Sequence, residues 1–243
     1  MTRRPADSPA EALGRLDAQI IECRRCPRLV EWRERVAREK RAAFTDETYW
    51  GRPIPGFGVA EPTVLVVGLA PAAHGANRTG RLFTGDRSGD WLFASMHRVG
   101  LANQPTSTRA DDGLELIGTR IVAAVRCAPP QNKPTTEERD SCAPWLDLEL
   151  RLVAPTVKVA VALGSIGWDA SLRAFRAAGW TVPRPKPKFG HGAEAVVGTP
   201  HGDLLLLGCY HPSQQNTFTG TLTEPMLDAV LAHAASFLPP SGG

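Results

Sequence analysis

The chain has 243 residues, 42% hydrophobic and 22% charged, with 23 Gly and 21 Pro. That balance excludes disorder, collagen and coiled coil, and leaves enough apolar material for a core. A formal net charge of +3 permits an anionic partner without demanding one. Of the 28 cationic residues only five are Lys; the Arg fork pairs well with phosphate, although genome base composition explains an Arg excess equally well.

No apolar run approaches the roughly 20 residues that cross a bilayer. The basic start from Met1 to Pro5 lacks the apolar segment and cleavage site of a secretory signal. A cytoplasmic protein with no membrane partner is expected.

Ser8 before Pro9 and Ala10-Glu11-Ala12-Leu13 is the order of an N-cap, a first-turn Pro and good helix formers, which predicts a helix to about Glu22. Pro27 can start a second helix. Leu29, Val30, Trp32 and Val36 give it an apolar side, surrounded by Arg33, Glu34, Arg35, Arg38, Glu39, Lys40 and Arg41. Tyr49 to Pro62 reads as loop. Thr63 to Val67 is a continuous β-branched and apolar run ending in Gly68, the pattern of a strand buried on both faces. A glycine-rich loop from Gly68 to Gly89 follows, then a helix carrying Trp91, Leu92, Met96 and Val99.

Arg120 to Val125 predicts a second strand and Thr135 to Leu152 a helix. Val157 to Gly164 predicts a third strand, Ser165 to Ala178 its helix, and Asp203 to Gly208 a fourth strand. The last helix starts near Thr223 or Glu224 and carries Leu227, Val230, Leu231 and Phe237. Arg184-Pro185-Lys186-Pro187-Lys188 is a rigid basic loop. Strands alternating with helices predict an α/β fold, with three α/β/α layers around a mainly parallel four-stranded sheet. One domain over 1–243 is expected, with a helical N-terminal segment at about 8–42. Ligands of such sheets bind where the strands end. Three loops follow predicted strands there: Gly68 to Gly89, Cys127 to Pro134 and Tyr210 to Gly220.

Five cysteines without an export signal argue against a disulfide framework. Cys23 and Cys26 form a C-x-x-C pair, and Cys127 and Cys142 have fourteen residues between them. Four thiolates suit either structural zinc or an iron–sulfur cluster, and buried free thiols are the third possibility. The neighbours Arg24, Arg25, Arg28 and Arg126 would stabilise thiolates. One C-x-x-C with two distant single ligands is a looser frame than paired zinc knuckles, which favours a [4Fe-4S] cluster. Cys209 has no pairing partner in this count and reads as core.

The loops carry the chemistry. Gly68-Leu69-Ala70-Pro71-Ala72 puts small residues and backbone N–H groups at a strand end, open to a planar ligand. Gly80 to Gly89 supplies Phe83 as an aromatic face and Asp86 as a carboxylate; core packing and a helix N-cap are their plainer readings. Asn132 offers a carboxamide, which both donates and accepts as a base edge requires, or serves only a turn. His211 puts an imidazole at the fourth strand end, ahead of Ser213, Gln214, Gln215 and Asn216, which can contact phosphate.

Together C-x-x-C, GLAPA with TGRLFTGDRSG, CAPPQNKP with its later Cys, and HPSQQNTFTG resemble the uracil-DNA glycosylase superfamily, nearest the type-b (family 5) enzymes with a [4Fe-4S] cluster. The resemblance covers roughly Ile20 to Leu238. It implies the fold of that superfamily, a DNA partner containing uracil or other deaminated bases, and release of the base to leave an abasic site. Type-b relatives also accept hypoxanthine and hydroxymethyluracil. The implied cluster ligands are Cys23, Cys26, Cys127 and Cys142. Gly68, Leu69 and Ala70 would meet the flipped base through main chain, Phe83 would stack on it and Asn132 would read its edge. Leu69 and Ala70 stand where many relatives carry a water-activating Asp, Asn or Glu, and this departure is the mark of type b. Asp86 would then stabilise the sugar cation or orient water, and His211 would donate to uracil O2. Ser213, Gln214, Gln215 and Asn216 would form the wedge and phosphate loop. The cations around α-helical residues 24–41 offer a phosphate-facing surface or simply a solvated face. A monomer is expected.

A zinc deaminase needs His-x-Glu, which this chain lacks. A non-catalytic iron–sulfur or zinc nucleic-acid-binding module is the remaining alternative.

Overall fold

A computed structural model describes residues 7–240; the basic start from Met1 to Pro5 lies outside them. Helix α1 (Pro9–Ile21) opens with a reciprocal cap, the Ser8 hydroxyl accepting from the Glu11 N–H and the Glu11 carboxylate accepting from the Ser8 N–H. Helix α2 (Pro27–Glu39) begins directly after Cys26. Helix α3 (Ala76–Thr79) interrupts what reads in sequence as one long loop, and α4 (Arg87–Arg98) is the helix expected after it, starting inside the expected loop, before Gly89, and ending before Val99. Then come α5 (Thr136–Val153), capped by Thr135 and Glu138 in the same reciprocal way, α6 (Gly164–Ala177), α7 (Gln214–Phe218) and α8 (Glu224–Ala235). Phe237, expected on the last helix, lies just beyond it.

The sheet has six strands rather than the four expected. They are β1 (Phe57–Gly58), β2 (Val64–Gly68), β3 (Thr119–Ala123), β4 (Val159–Leu163), β5 (Glu194–Thr199) and β6 (Gly202–Cys209), ordered β1-β3-β2-β4-β6-β5. The four anticipated strands form the parallel centre, with Val66 opposite both Ile121 and Val161, and Val161 opposite Leu207. The additions are antiparallel edges. β1 is too short to give a period, and β5 alternates exposed Glu194 and Val196 with buried Ala195 and Val197, as a half-solvated edge does.

Alternation along the central strands divides the core. Val64, Val66, Ile121, Val161 and Leu207 meet Leu92, Phe93 and Met96 of α4 and Leu227 and Leu231 of α8. Leu65, Val67, Val122, Ala160 and Leu206 face Leu146 and Leu150 of α5 and Trp168, Leu172 and Phe175 of α6. Each fully buried Val, Leu or Phe contributes about 1.5–3 kcal/mol. α1 packs on the outside of α5, and Leu16, Ile20 and Leu29 join Val125, Cys127, Cys142 and Trp145 in a third cluster. Among the described residues no helix is long and apolar enough to cross a membrane.

Candidate active site

Because β3, β2, β4 and β6 run parallel, the three loops singled out in the sequence leave the same edge of the sheet. At the end of β2, Gly68 has no side chain, and the Phe83 ring occupies that space: a Cβ there would lie 3.0 Å from Phe83 Cζ. The imidazole of His211, just past β6, lies 5.9 Å from the Phe83 ring, centroid to centroid. Phe83 is 9% exposed and has φ of +53°, a left-handed conformation that costs a non-glycine residue about 1–3 kcal/mol.

A buried polar scaffold holds that strained turn. The Arg81 guanidinium donates to both Asp112 oxygens at 2.7 and 2.9 Å, to Ser107 Oγ at 2.9 Å and to Thr84 Oγ1 at 2.9 Å. Burial pushes Asp112 up, but Arg81 and the N–H groups of Thr108, Leu114 and Arg109 outweigh it and hold its pKa at about 2. Arg78 adds bonds to the carbonyls of His74 and Gly85. Neither arginine's role is visible in the sequence, since the Arg81–Asp112 pair spans 31 positions.

Asp86 is the N-cap of α4, its Oδ1 accepting from the Gly89 N–H at 3.0 Å. The plainer reading is therefore correct and does not exhaust the residue. Its other oxygen lies over the bare Cα of Gly75, where a Cβ would come to 2.1 Å. Burial pushes the Asp86 pKa up, opposed by the N–H groups of Gly89 and Ser88. Burial pushes His211 down to about 4, which leaves a neutral imidazole at physiological pH.

The segment after His211 is a short helix rather than a loop. Ser213 is its N-cap, and the Asn216 amide turns back to donate to the His211 carbonyl at 2.9 Å. The Ser213 N–H donates to the same carbonyl at 2.7 Å, so both residues hold His211's backbone, and Gln214 and Gln215 are the exposed pair. Phe218, which the sequence reading passed over, is 67% exposed, with the Arg87 guanidinium 4.5 Å above its ring. Asn132 is exposed at the end of a helical turn, Pro130–Asn132, with Gln131 and Asn132 both left-handed at φ of 54° and 57°. Leu69 and Ala70 are half-buried. The Leu69 carbonyl accepts from the Val125 N–H, and Ala70 packs on the cysteine cluster. The structure thus brings Gly68, Phe83 and His211 together, with Asp86 at the helix start that follows Phe83.

Cys23, Cys26, Cys127 and Cys142 line one cavity with Leu29, Val30, Pro53 and Arg126, and all four are free thiols. Arg33 Nη1 donates to Cys127 Sγ at 2.9 Å, and the Arg126 N–H to Cys142 Sγ at 3.2 Å. Burial pushes Cys127 up to about 12 and Cys142 up to about 11. Arg33 corrects the expected cationic surface of α2, because it is only 2% exposed. Its place beside Leu29, Val30 and Val36 on the inward stripe of the helix was the available signal. Arg28 is likewise engaged, with Glu138. Behind the cysteines, Glu149 of α5 is fully buried between Arg120 (2.6 Å) and Arg126 (2.5 Å). Cys209 is core, as expected.

Residues 55–235 match the family described as the uracil DNA glycosylase superfamily, and the chain belongs to it. More narrowly, it is similar to proteins named type-5 uracil-DNA glycosylase. That of Mycobacterium tuberculosis is 56% identical over 225 residues, covering 93% of this chain and 81% of the relative. The Thermus thermophilus protein is 51% identical over 215 residues (88% and 93%), and that of Pyrobaculum aerophilum 44% over 218 (90% and 90%).

Proposed function

We infer that the site excises uracil from DNA by hydrolysing the N-glycosidic bond, leaving an abasic site. Family membership and the type-5 relatives support this activity, and the Phe83–His211 pair beside Gly68 is the observation that carries the mechanism. The flipped base would stack on Phe83, against the main chain of Gly68, Leu69 and Ala70, with Asn132 brought to its edge. As the bond from C1′ to N1 breaks, positive charge grows on the sugar and negative charge on the base. Asp86 serves the first and His211 Nε2 or Nδ1, as a neutral donor to O2, the second. Water adds to C1′ and gives up its proton; the uracil anion leaves with the bonding pair and is protonated at nitrogen. The strain at Phe83, held by Arg81, favours a pre-organised site over a merely structural turn. Hypoxanthine and hydroxymethyluracil belong to the proposed substrate range, extrusion being cheapest at mismatches.

Gln214 and Gln215, with Phe218 beyond them, are proposed to meet the DNA backbone and the gap in the stack; Ser213 and Asn216 act there through His211. A [4Fe-4S] cluster on Cys23, Cys26, Cys127 and Cys142 fits the residues present. Their sulfurs share a cavity, two already accept N–H donors, and burial disfavours bare thiolates unless metal charge compensates. Among the described residues no three His, Cys, Asp or Glu side chains form a single-ion site. When bound, the cluster supplies a cross-link between residues 23–26 and the loop bearing Asn132. The five cysteines form no disulfide, which suits a reducing compartment; a single cytoplasmic unit is part of this proposal, and so, separately, is a monomer.

The test is alkaline strand scission of a uracil-containing duplex after treatment with purified protein. Wild type should cut, and His211→Ala and Asp86→Ala should each lose about 10²–10³ in rate while still binding DNA. No scission by wild type overturns the activity; unchanged turnover in both variants overturns the assigned roles.

A further inference from the structure

The basic loop between α6 and β5 has no part in the chemistry above, yet it is fastened beside His211. Trp168 Nε1 donates to the Pro187 carbonyl at 3.0 Å, and the Phe189 ring lies 6.1 Å from both Trp168 and Tyr210. His191 Nδ1 accepts from the Tyr210 N–H at 3.3 Å, and Tyr210 immediately precedes His211. The Gly190 carbonyl lies so near β6 that a Cβ on Gly208 would be 2.3 Å from it, and Gly192 N–H donates to the Gly208 carbonyl at 2.8 Å. Residues 187, 189 and 191 therefore anchor the loop against the strand that delivers His211.

The cations of the loop, one between those anchors and two just ahead of them, stay outside. Arg184, Lys186 and Lys188 are all exposed. Lys186 pairs with Asp169 at 2.7 Å, whereas Arg184 and Lys188 form no ion pair among the described residues. No acidic residue occurs from Pro183 to Ala193. Pro185 and Pro187 fix φ and restrict the backbone that carries the two free cations, which lowers the backbone part of the ordering cost on binding.

Resting on the uracil-DNA reading, we propose that Arg184 and Lys188 form an arm that binds backbone phosphates of the DNA strand flanking the extruded nucleotide, on the β5 side of the pocket. Recognition is of phosphate, not of base, so the arm acts on any sequence.

The experiment measures binding to a uracil-free duplex oligonucleotide by fluorescence anisotropy across a salt series, with uracil excision assayed separately. Neutralising both cations in an R184A/K188A protein should weaken binding roughly tenfold at moderate salt and reduce the steepness of log affinity against log salt by about 1.8, or 0.9 per lost phosphate contact. R184K/K188R should keep the wild-type slope, which separates charge from folding. Lys158→Ala, at the opposite end of the parallel strands, should leave the slope unchanged. An unchanged slope in R184A/K188A, with its melting temperature intact, overturns the arm whether or not uracil is excised. A fallen slope in a protein that never excises uracil supports the arm and overturns the enzymatic reading instead.

Discussion

The base pocket and the cysteine frame lie side by side at one edge of the sheet, and each is backed by buried arginine. They are held in different ways. Under the pocket, Arg81 meets Asp112, Ser107, Thr84 and the Ala110 carbonyl, and Asp112 also takes backbone N–H groups, so every charge has several partners. Behind the cysteines the buried Glu149 serves two guanidiniums, Arg120 has a second, longer pairing with Asp17 at 3.4 Å, and Arg126 Nε and Nη1 have no hydrogen-bond partner among the described residues. The first arrangement spreads its electrostatics over many local bonds. The second concentrates them on Glu149, the one ion-pair partner of Arg126 among the described residues. Redundancy suits a turn that must hold a strained Phe83 in place for its proposed role against the base, whereas the frame has only to stay closed.

The largest effect should therefore come from the frame. Glu149→Ala leaves the buried Arg126 uncompensated and Arg120 with only its longer pairing to Asp17, and should cost about 3–5 kcal/mol in urea unfolding. It should also lower the absorbance of the proposed cluster, as Cys127→Ala should by removing a proposed ligand. A Glu149→Ala protein within 1 kcal/mol of wild type, by the typical scale of a surface change, would erase the contrast between the two regions. Asp112→Ala should cost less, about 1.5–3 kcal/mol for bonds to a charged group, because Arg81 keeps its other acceptors. Its signature is functional: excision should fall through a looser Phe83 turn, by about tenfold per 1.4 kcal/mol of lost positioning. If Asp112→Ala unfolds the protein as readily as Glu149→Ala, the pocket scaffold is not redundant.

Much of this was legible in the sequence, for identifiable reasons. The four parallel strands announced themselves because strands covered on both faces are continuous apolar runs, and the caps at Ser8 and Thr135 are short-range patterns. β5 stayed hidden because an edge strand carrying Glu194 and exposed Val196 has no such run. Gly68, Phe83, Asp86 and His211 stood out as motif residues, but nothing along the chain says that Phe83 is strained or that Asn216 faces inward to His211. The arginine networks were invisible for the same reason. Ion pairs between residues 29 or 31 positions apart leave no periodicity; only Arg33, on an apolar stripe, left a trace.

The finest distinction lies within the pocket, between the protons of His211 and Asp86. Burial lowers His211 from its ordinary 6.5 to about 4, so protonation is harder in the folded chain than in the unfolded one. The stability His211 contributes is then present above about pH 6.5 and is lost as pH falls toward 4, where the folded imidazole also takes its proton. Asp86 has the opposite sign, since burial raises it: its contribution is fullest below the ordinary carboxylate value and is lost as pH rises through the raised one. Comparing wild type with His211→Asn isolates the first effect. Their difference in urea midpoint should shrink as pH is lowered from 6.5 to 4, and the His211 ring resonances, assigned by their loss in the variant, should stay in place through pH 6.5. A His211 titration centred near 6.5 would make the donor an imidazolium in part of the working range, and the base would then leave toward a charged group rather than a neutral one.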